Sequence, residues 1–288
     1  MPLLILFISS NIYSMIDFHT HILPNQVEKM VRDYGNDGVF IDMFKDNQET
    51  SDNSKLIKSM SNSNIEASVL MGYGWTNFDV LKMSNSYNLK SAQNNDKLIP
   101  FCSVNPKFGI KNNNELKNCI LKGAKGIGEI HPSVQQLDMS DFKAWKGIMD
   151  IALDANIPIA IHCSEPVGHL YPGKGNVSLK QIYEFIKLFP HNKIVLSHWG
   201  GGLIFYELMK EVKKYFKNVY YDTAATSYLY KKDIFEISLK IVGPEKILFG
   251  SDFPILKPSR ILAEIKNIKI SDLKKITSVN AKSLLEIN

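Results

Sequence analysis

The sequence predicts an α/β fold, a single (β/α)8 TIM barrel. Three observations point to it. Eight short apolar, β-branched runs recur along the chain, segments of helical period lie between them, and 288 residues with 44% hydrophobic content suffice for one large core. Strands alternating with helices in this way form βαβ units around a parallel sheet.

The runs fall at Met15 to His21, Ile65 to Met71, Leu98 to Val104, Gly123 to Ile130, Ile157 to His162, Lys193 to His198, Asn218 to Asp222 and Lys246 to Asp252. Between them, Asp141 to Ala155, Ser178 to Phe189 and Leu203 to Phe216 carry i, i+3, i+4 apolar spacing and are expected as helices. After the first run about thirty residues precede the next clear helix, longer than ordinary βα loops. This stretch reads either as a lid or as a loose connection with a helix around Val27 to Tyr34. Residues 1–14 are apolar but lack the charged start of a signal peptide. They read as an N-terminal extension or a mis-start ahead of Met15, with residues 15–288 as one barrel domain.

Four of the runs end in side chains that bind metals: His19 and His21, then His162, His198 and Asp252. Side chains on a strand alternate faces, so His19 and His21 point the same way and Thr20 points away. In a barrel all strand C-termini open on one face, where active sites are built. These residues, distant in the chain, are therefore expected to meet at the mouth. The fourth run adds Glu129 and, in step with it, His131. Asp17, two residues below His19, is expected to support a ligand, and Cys163, next to His162, to face the surrounding helices. His191 is expected in an exposed turn and His169 in a Gly/Pro-rich loop; Tyr221 and Asp222 are left without a role.

Composition excludes several classes. The net charge is +5, yet Arg32 and Arg260 are the only arginines among 34 basic residues. That balance disfavours nucleic-acid readout. Three cysteines without a C-x-x-C spacing argue against disulfides and cysteine zinc sites and suit a reducing cytoplasm. No apolar run is long enough for a membrane span.

The ordered fragments Asp-Phe-His-Thr-His ending at His21, Ile-His-Cys-Ser-Glu-Pro at 161–166, Ser-His-Trp-Gly-Gly-Gly at 197–202 and Phe-Gly-Ser-Asp-Phe-Pro at 249–254, with Asn-Ala-Lys-Ser-Leu-Leu at 280–285, resemble the amidohydrolase superfamily. The likeness is to its amidohydrolase-related branch, which includes the aminocarboxymuconate-semialdehyde decarboxylase-like enzymes. It implies His19, His21 and His162 as metal ligands, Asp252 as ligand or proton carrier, and His198 as a catalytic histidine. It also implies a small-molecule substrate and a homodimer. Glu129 stands where binuclear members have a bridging carboxylate; with one metal, the favoured reading, it contacts substrate or fixes a histidine tautomer.

Imidazole and carboxylate suit Zn²⁺, with Mn²⁺ or Fe²⁺ as alternatives. Water on such a centre falls in pKa to roughly 7. The leading expectation is a metal-dependent hydrolase cleaving a C–N or C–O bond in a small polar metabolite. The second is a non-oxidative decarboxylase of an aromatic or muconate-type acid, for which Arg260 or Arg32 would hold the substrate carboxylate. His131 is a further candidate for substrate contact. A catalytically silent binding protein is the third reading.

Overall fold

The computed structural model describes residues 14–24, 29, 33–44 and 50–287. The extension up to residue 13, Arg32 and most of the helix expected around Val27 to Tyr34 lie outside the described residues. Eight parallel strands follow one another in chain order around the sheet: β1 (Met15–His21), β2 (Ile65–Met71), β3 (Leu98–Cys102), β4 (Gly126–Ile130), β5 (Ile159–Ile161), β6 (Ile194–Leu196), β7 (Val219–Asp222) and β8 (Ile247–Leu248). Backbone bonds from Phe18 N to Phe249 O at 2.7 Å, Asp252 N to His19 O at 2.9 Å and His21 N to Phe253 O at 2.8 Å bring β1 against the β8 segment. The result is the predicted (β/α)8 barrel.

Two apolar layers hold it together. Phe18, Val69, Phe101, Val195 and Leu248 fill the barrel interior, with Phe18 edge-on to Phe101. Leu70, Ile127, Ile159 and Leu196 face outward and pack against helix residues such as Trp145 and Phe185. Cys163 lies in this outer layer, as its position beside His162 predicts.

The first two strands match their expected bounds, whereas the later ones are shorter. The segment Leu203 to Phe216 also differs from expectation. A 3-10 stretch reaches Leu208, Met209 is extended, and only Lys210–Tyr215 is α-helical. The cause lies just upstream, where His198, Trp199, Gly200, Gly201 and Gly202 all take positive φ. A left-handed turn of this kind cannot feed directly into a right-handed helix. It also brings the chain close to β5: a β-carbon on Gly201 would sit 2.5 Å from the Ser164 carbonyl oxygen.

Two strands carry register shifts under the candidate ligands. On β1, Asp17 pairs with Ser68 but Thr20 with Leu70. On β4, Ile127 pairs with Ile159 but Ile130 with Ile161. In each case three steps on one strand match two on its neighbour, the signature of a bulge that re-aims a side chain. Phe18 can thus fill the interior while His19 points to the mouth. Likewise Ile127 and Ile130 both face outward, and Glu129 between them turns in.

Candidate metal centre

At the C-terminal mouth the four separated fragments converge. The Nε2 atoms of His19 and His21 face each other at 3.0 Å. Asp252 Oδ1 lies 3.6 Å from His19 Nε2 and 3.7 Å from His21 Nε2. Glu129 approaches from the opposite wall, 3.9 Å from each of these nitrogens and 3.2 Å from His162 Nδ1. His198 Nε2 stands 3.8 Å from Asp252 Oδ2. All six side chains are buried.

Asp222 organises one side of this cluster, and its role was not legible in the sequence. Its Oδ2 accepts from His19 Nδ1 at 2.8 Å and its Oδ1 from His198 N at 2.9 Å and Ala224 N at 3.1 Å. With a proton on Nδ1 held by Asp222, Nε2 is the ring nitrogen that can offer a lone pair to the mouth once its own proton is displaced. Asp17 supports from below, as expected: it accepts from His19 N at 3.2 Å and from Ser251 N and Oγ at 2.9 and 2.6 Å. Tyr221, its role also open, faces outward and donates to Glu207 at 2.8 Å.

Burial and charge pull the ionisable groups apart. Burial disfavours a charged His19, but Asp222, Glu129 and Asp252 outweigh it and raise its pKa to about 10. His21 is lowered to about 4, by burial and then by charge on His19. Burial works to raise Glu129 and Asp222, yet the neighbouring imidazoles hold both below the usual carboxylate range. Burial lifts Asp17 to about 7 against its hydrogen bonds to Ser251. The mouth therefore concentrates negative charge around imidazole nitrogens.

That donor set fits a divalent cation. His162 Nδ1 and Glu129 Oε1 are buried and 3.2 Å apart, and among the described residues neither has a further hydrogen-bond partner. Their lone pairs converge on a shared space instead. His19, His21 and Asp252 form one group able to hold an ion, and His19, Glu129 and His198 a second that overlaps it.

A cavity of about 370 Å³ opens above these residues. Its floor includes His21, Glu129, His162, His198 and Asp252, and its walls include Met43, Phe44, Tyr73, Tyr171, Tyr228 and Leu229. His169 lies on the rim beside Tyr171, so its loop does reach the site. Two expected substrate contacts do not line this cavity. His131 is buried behind His162, ring centroids 3.9 Å apart and nearly parallel, with Nε2 on Gly173 O at 2.8 Å; burial and then His162 lower its pKa to about 3. Arg260 is exposed on helix Pro258–Ile265, which turns Ile261 and Ile265 inward. Its guanidinium rests 5.8 Å over the Tyr228 ring. His191 is exposed, as expected.

The profile of the family described as Amidohydrolase matches residues 16–287. No curated protein matches by sequence. Among solved structures, 5-carboxyvanillate decarboxylase from Sphingomonas paucimobilis superposes with a TM-score of 0.78 at 14% identity, covering 96% of this chain and 100% of its own. The 5-carboxyvanillate decarboxylase of Novosphingobium aromaticivorans, complexed with manganese and 4-hydroxy-3-methoxy-5-nitrobenzoic acid, gives 0.79 at 15% identity over 96% of each chain. The 2,6-dihydroxybenzoate decarboxylase from Rhizobium gives 0.66 at 15% identity, covering 95% of this chain and 98% of its own. No helix among the described residues is long and apolar enough to cross a membrane.

Proposed function

The chain belongs to the amidohydrolase family, and from that membership we propose that it is a metal-dependent decarboxylase of a small aromatic acid. This reverses the order suggested by the sequence, which put hydrolysis first. The observation that carries the reading is the cavity itself: a floor of imidazoles and carboxylates under walls of Phe44, Tyr73, Tyr171 and Tyr228. Such walls accept a planar ring and bury its faces. The likeness in fold to decarboxylases of substituted benzoic acids supports the same substrate class.

His19, His21, His162 and Asp252 would hold a divalent cation, with Glu129 contributing an oxygen. When bound, the cation supplies the positive charge that binds the acid and polarises its electron-rich ring. The remaining work falls to the chain. Asp252, with Oδ2 turned toward His198, delivers a proton to the ring carbon bearing the carboxylate. The carbon–carbon bond then breaks, its electron pair returns to the ring, and carbon dioxide leaves. His198 returns a proton to Asp252 from solvent. The aromatic walls hold the ring over Asp252 and keep water away from the reacting carbon.

Hydrolysis remains the second reading because of Glu129, whose carboxylate reaches His19, His21 and His162 at once. A bridging position of that kind suits two ions and an attacking water. One experiment separates the two. The untagged, chelator-free protein is assayed for metal content and then, with Mn²⁺ or Zn²⁺, offered a panel of hydroxybenzoates and a panel of aryl amides, esters and lactones. Decarboxylation predicts about one ion per chain, lost in His162→Ala, and carbon dioxide equimolar with the arene. About two ions, with a new carboxylate and no carbon dioxide, would replace it with hydrolysis. No ion even after reconstitution would sink both and revive the silent binding protein.

A further inference from the structure

His131 sits outside the cavity, yet three sets of contacts make it the link between the cavity's roof and one candidate ligand. Its Nε2 lies 2.8 Å from Gly173 O, and its Nδ1 3.3 Å from Val134 N. A backbone N–H only donates, so Nδ1 accepts and Nε2 carries the proton given to Gly173. The ring orientation is thereby fixed, and it is braced again by His131 N donating to Gln135 Oε1 at 3.0 Å. Gln135 is in turn anchored on Val104 O at 2.7 Å.

The flat of this fixed ring lies against His162, at 3.9 Å and 12°. On the other side, Gly173 belongs to the roof. Its N donates to Asp42 O at 3.2 Å, joining the loop after β5 to the segment that carries Met43 and Phe44. A continuous chain of contacts therefore runs from Asp42 through Gly173 and His131 to His162.

We infer that His131 is a positioning residue that sets the His162 imidazole for metal binding through ring stacking and holds the cavity roof through its bond to Gly173. The inference rests on the metal centre proposed above. The two contacts use different parts of one side chain, so they separate by substitution. His131→Phe keeps a ring against His162 but has nothing to donate to Gly173. His131→Gln keeps a donor but has no ring. The loop retains other anchors in both variants, since Ser133 Oγ accepts from Asn176 N at 2.7 Å and Ser164 Oγ from Gly175 N at 2.8 Å.

The test is Mn²⁺ titration followed by electron paramagnetic resonance, with hydrogen exchange read at residues 171–175 and melting curves as a check on folding. His131→Gln should weaken Mn²⁺ binding on the order of tenfold, the effect of losing a group that orients a ligand, and leave loop exchange near wild type. His131→Phe should bind Mn²⁺ within about twofold of wild type while loop exchange quickens about tenfold, as a lost hydrogen bond allows. Equal Mn²⁺ affinity in wild type and both variants overturns the inference and leaves the metal centre standing. Parallel losses of affinity, protection and melting temperature in both variants also overturn it, since they would make His131 merely a packing residue. If wild type itself takes up neither Mn²⁺ nor Zn²⁺, the metal centre fails first.

Discussion

The two walls of the mouth are built on different principles. On the β1, β7 and β8 side, polar bonds fix His19 and the turn at His198: Asp222 grips His19 and the backbone of His198, and Asp17 grips Ser251 and the backbone of His19, while His21 stacks on Tyr73. On the β4 and β5 side, Glu129 Oε1 and His162 Nδ1 have only each other, 3.2 Å apart, among the described residues, and His162 is otherwise held by ring stacking and by Ser164 Oγ at 3.1 Å. The first wall leans more on hydrogen-bonded carboxylates and the second on stacked rings. Removing a carboxylate from the first should therefore cost more than removing a hydroxyl from the second.

The largest effect is expected from Asp222→Ala, which releases His19 and His198 together. Metal affinity should fall 10- to 100-fold, as for other partners of ligating histidines, with turnover falling at least as far. Affinity within about twofold of wild type, measured by competition with a chromogenic chelator, would show that the first wall does not depend on its charges.

A pH effect comes next. The folded pKa of His19 is raised to about 10 from 6.5, so in the metal-free protein its charge contributes stability below pH 6.5 that is lost as pH rises through 10. A bound cation must displace that proton. Mn²⁺ affinity should climb roughly tenfold per pH unit between about pH 7 and 9, and more shallowly in Asp222→Asn. Isothermal titration in buffers of different ionisation enthalpy would count the proton released, and a count of zero would remove His19 from the ligand set.

The smallest effect belongs to the second wall. Ser164→Ala removes one neutral partner of His162, a loss of about 1 kcal/mol or roughly fivefold in metal affinity. If Ser164→Ala proved as costly as Asp222→Ala, the two walls would be equivalent and the contrast would fail.

How much of this the sequence disclosed follows the same divide. The candidate site side chains at the ends of β1, β5, β6 and the β8 segment were readable as a converging set because each sits beside an apolar run whose end is the mouth. Strand limits past β2 were not, since strands buried on both faces read as unbroken apolar runs. Asp222 was visible at a strand end, but its role was not, because that role depends on a contact 203 residues away, with His19. His131 reads as in step with Glu129 and so as facing the mouth, but alternation gives a face and no depth, and the ring lies behind His162. Nor could alternation reveal that Gly173 closes over that ring. Arg260 failed for a plain reason: the helix carrying it turns isoleucines, not arginine, toward the barrel.

The seam between β1 and the β8 segment has a consequence for how the protein is made. His19 lies on β1 and Asp252 just after β8, and direct backbone bonds join the two segments. A nascent chain emerging from the ribosome offers His19 and His21 first, but Asp252 only after the strands between them have been made. An ion held by both segments would thus wait for a closed barrel, and would fasten contacts of long sequence separation, the slowest class for a chain to find.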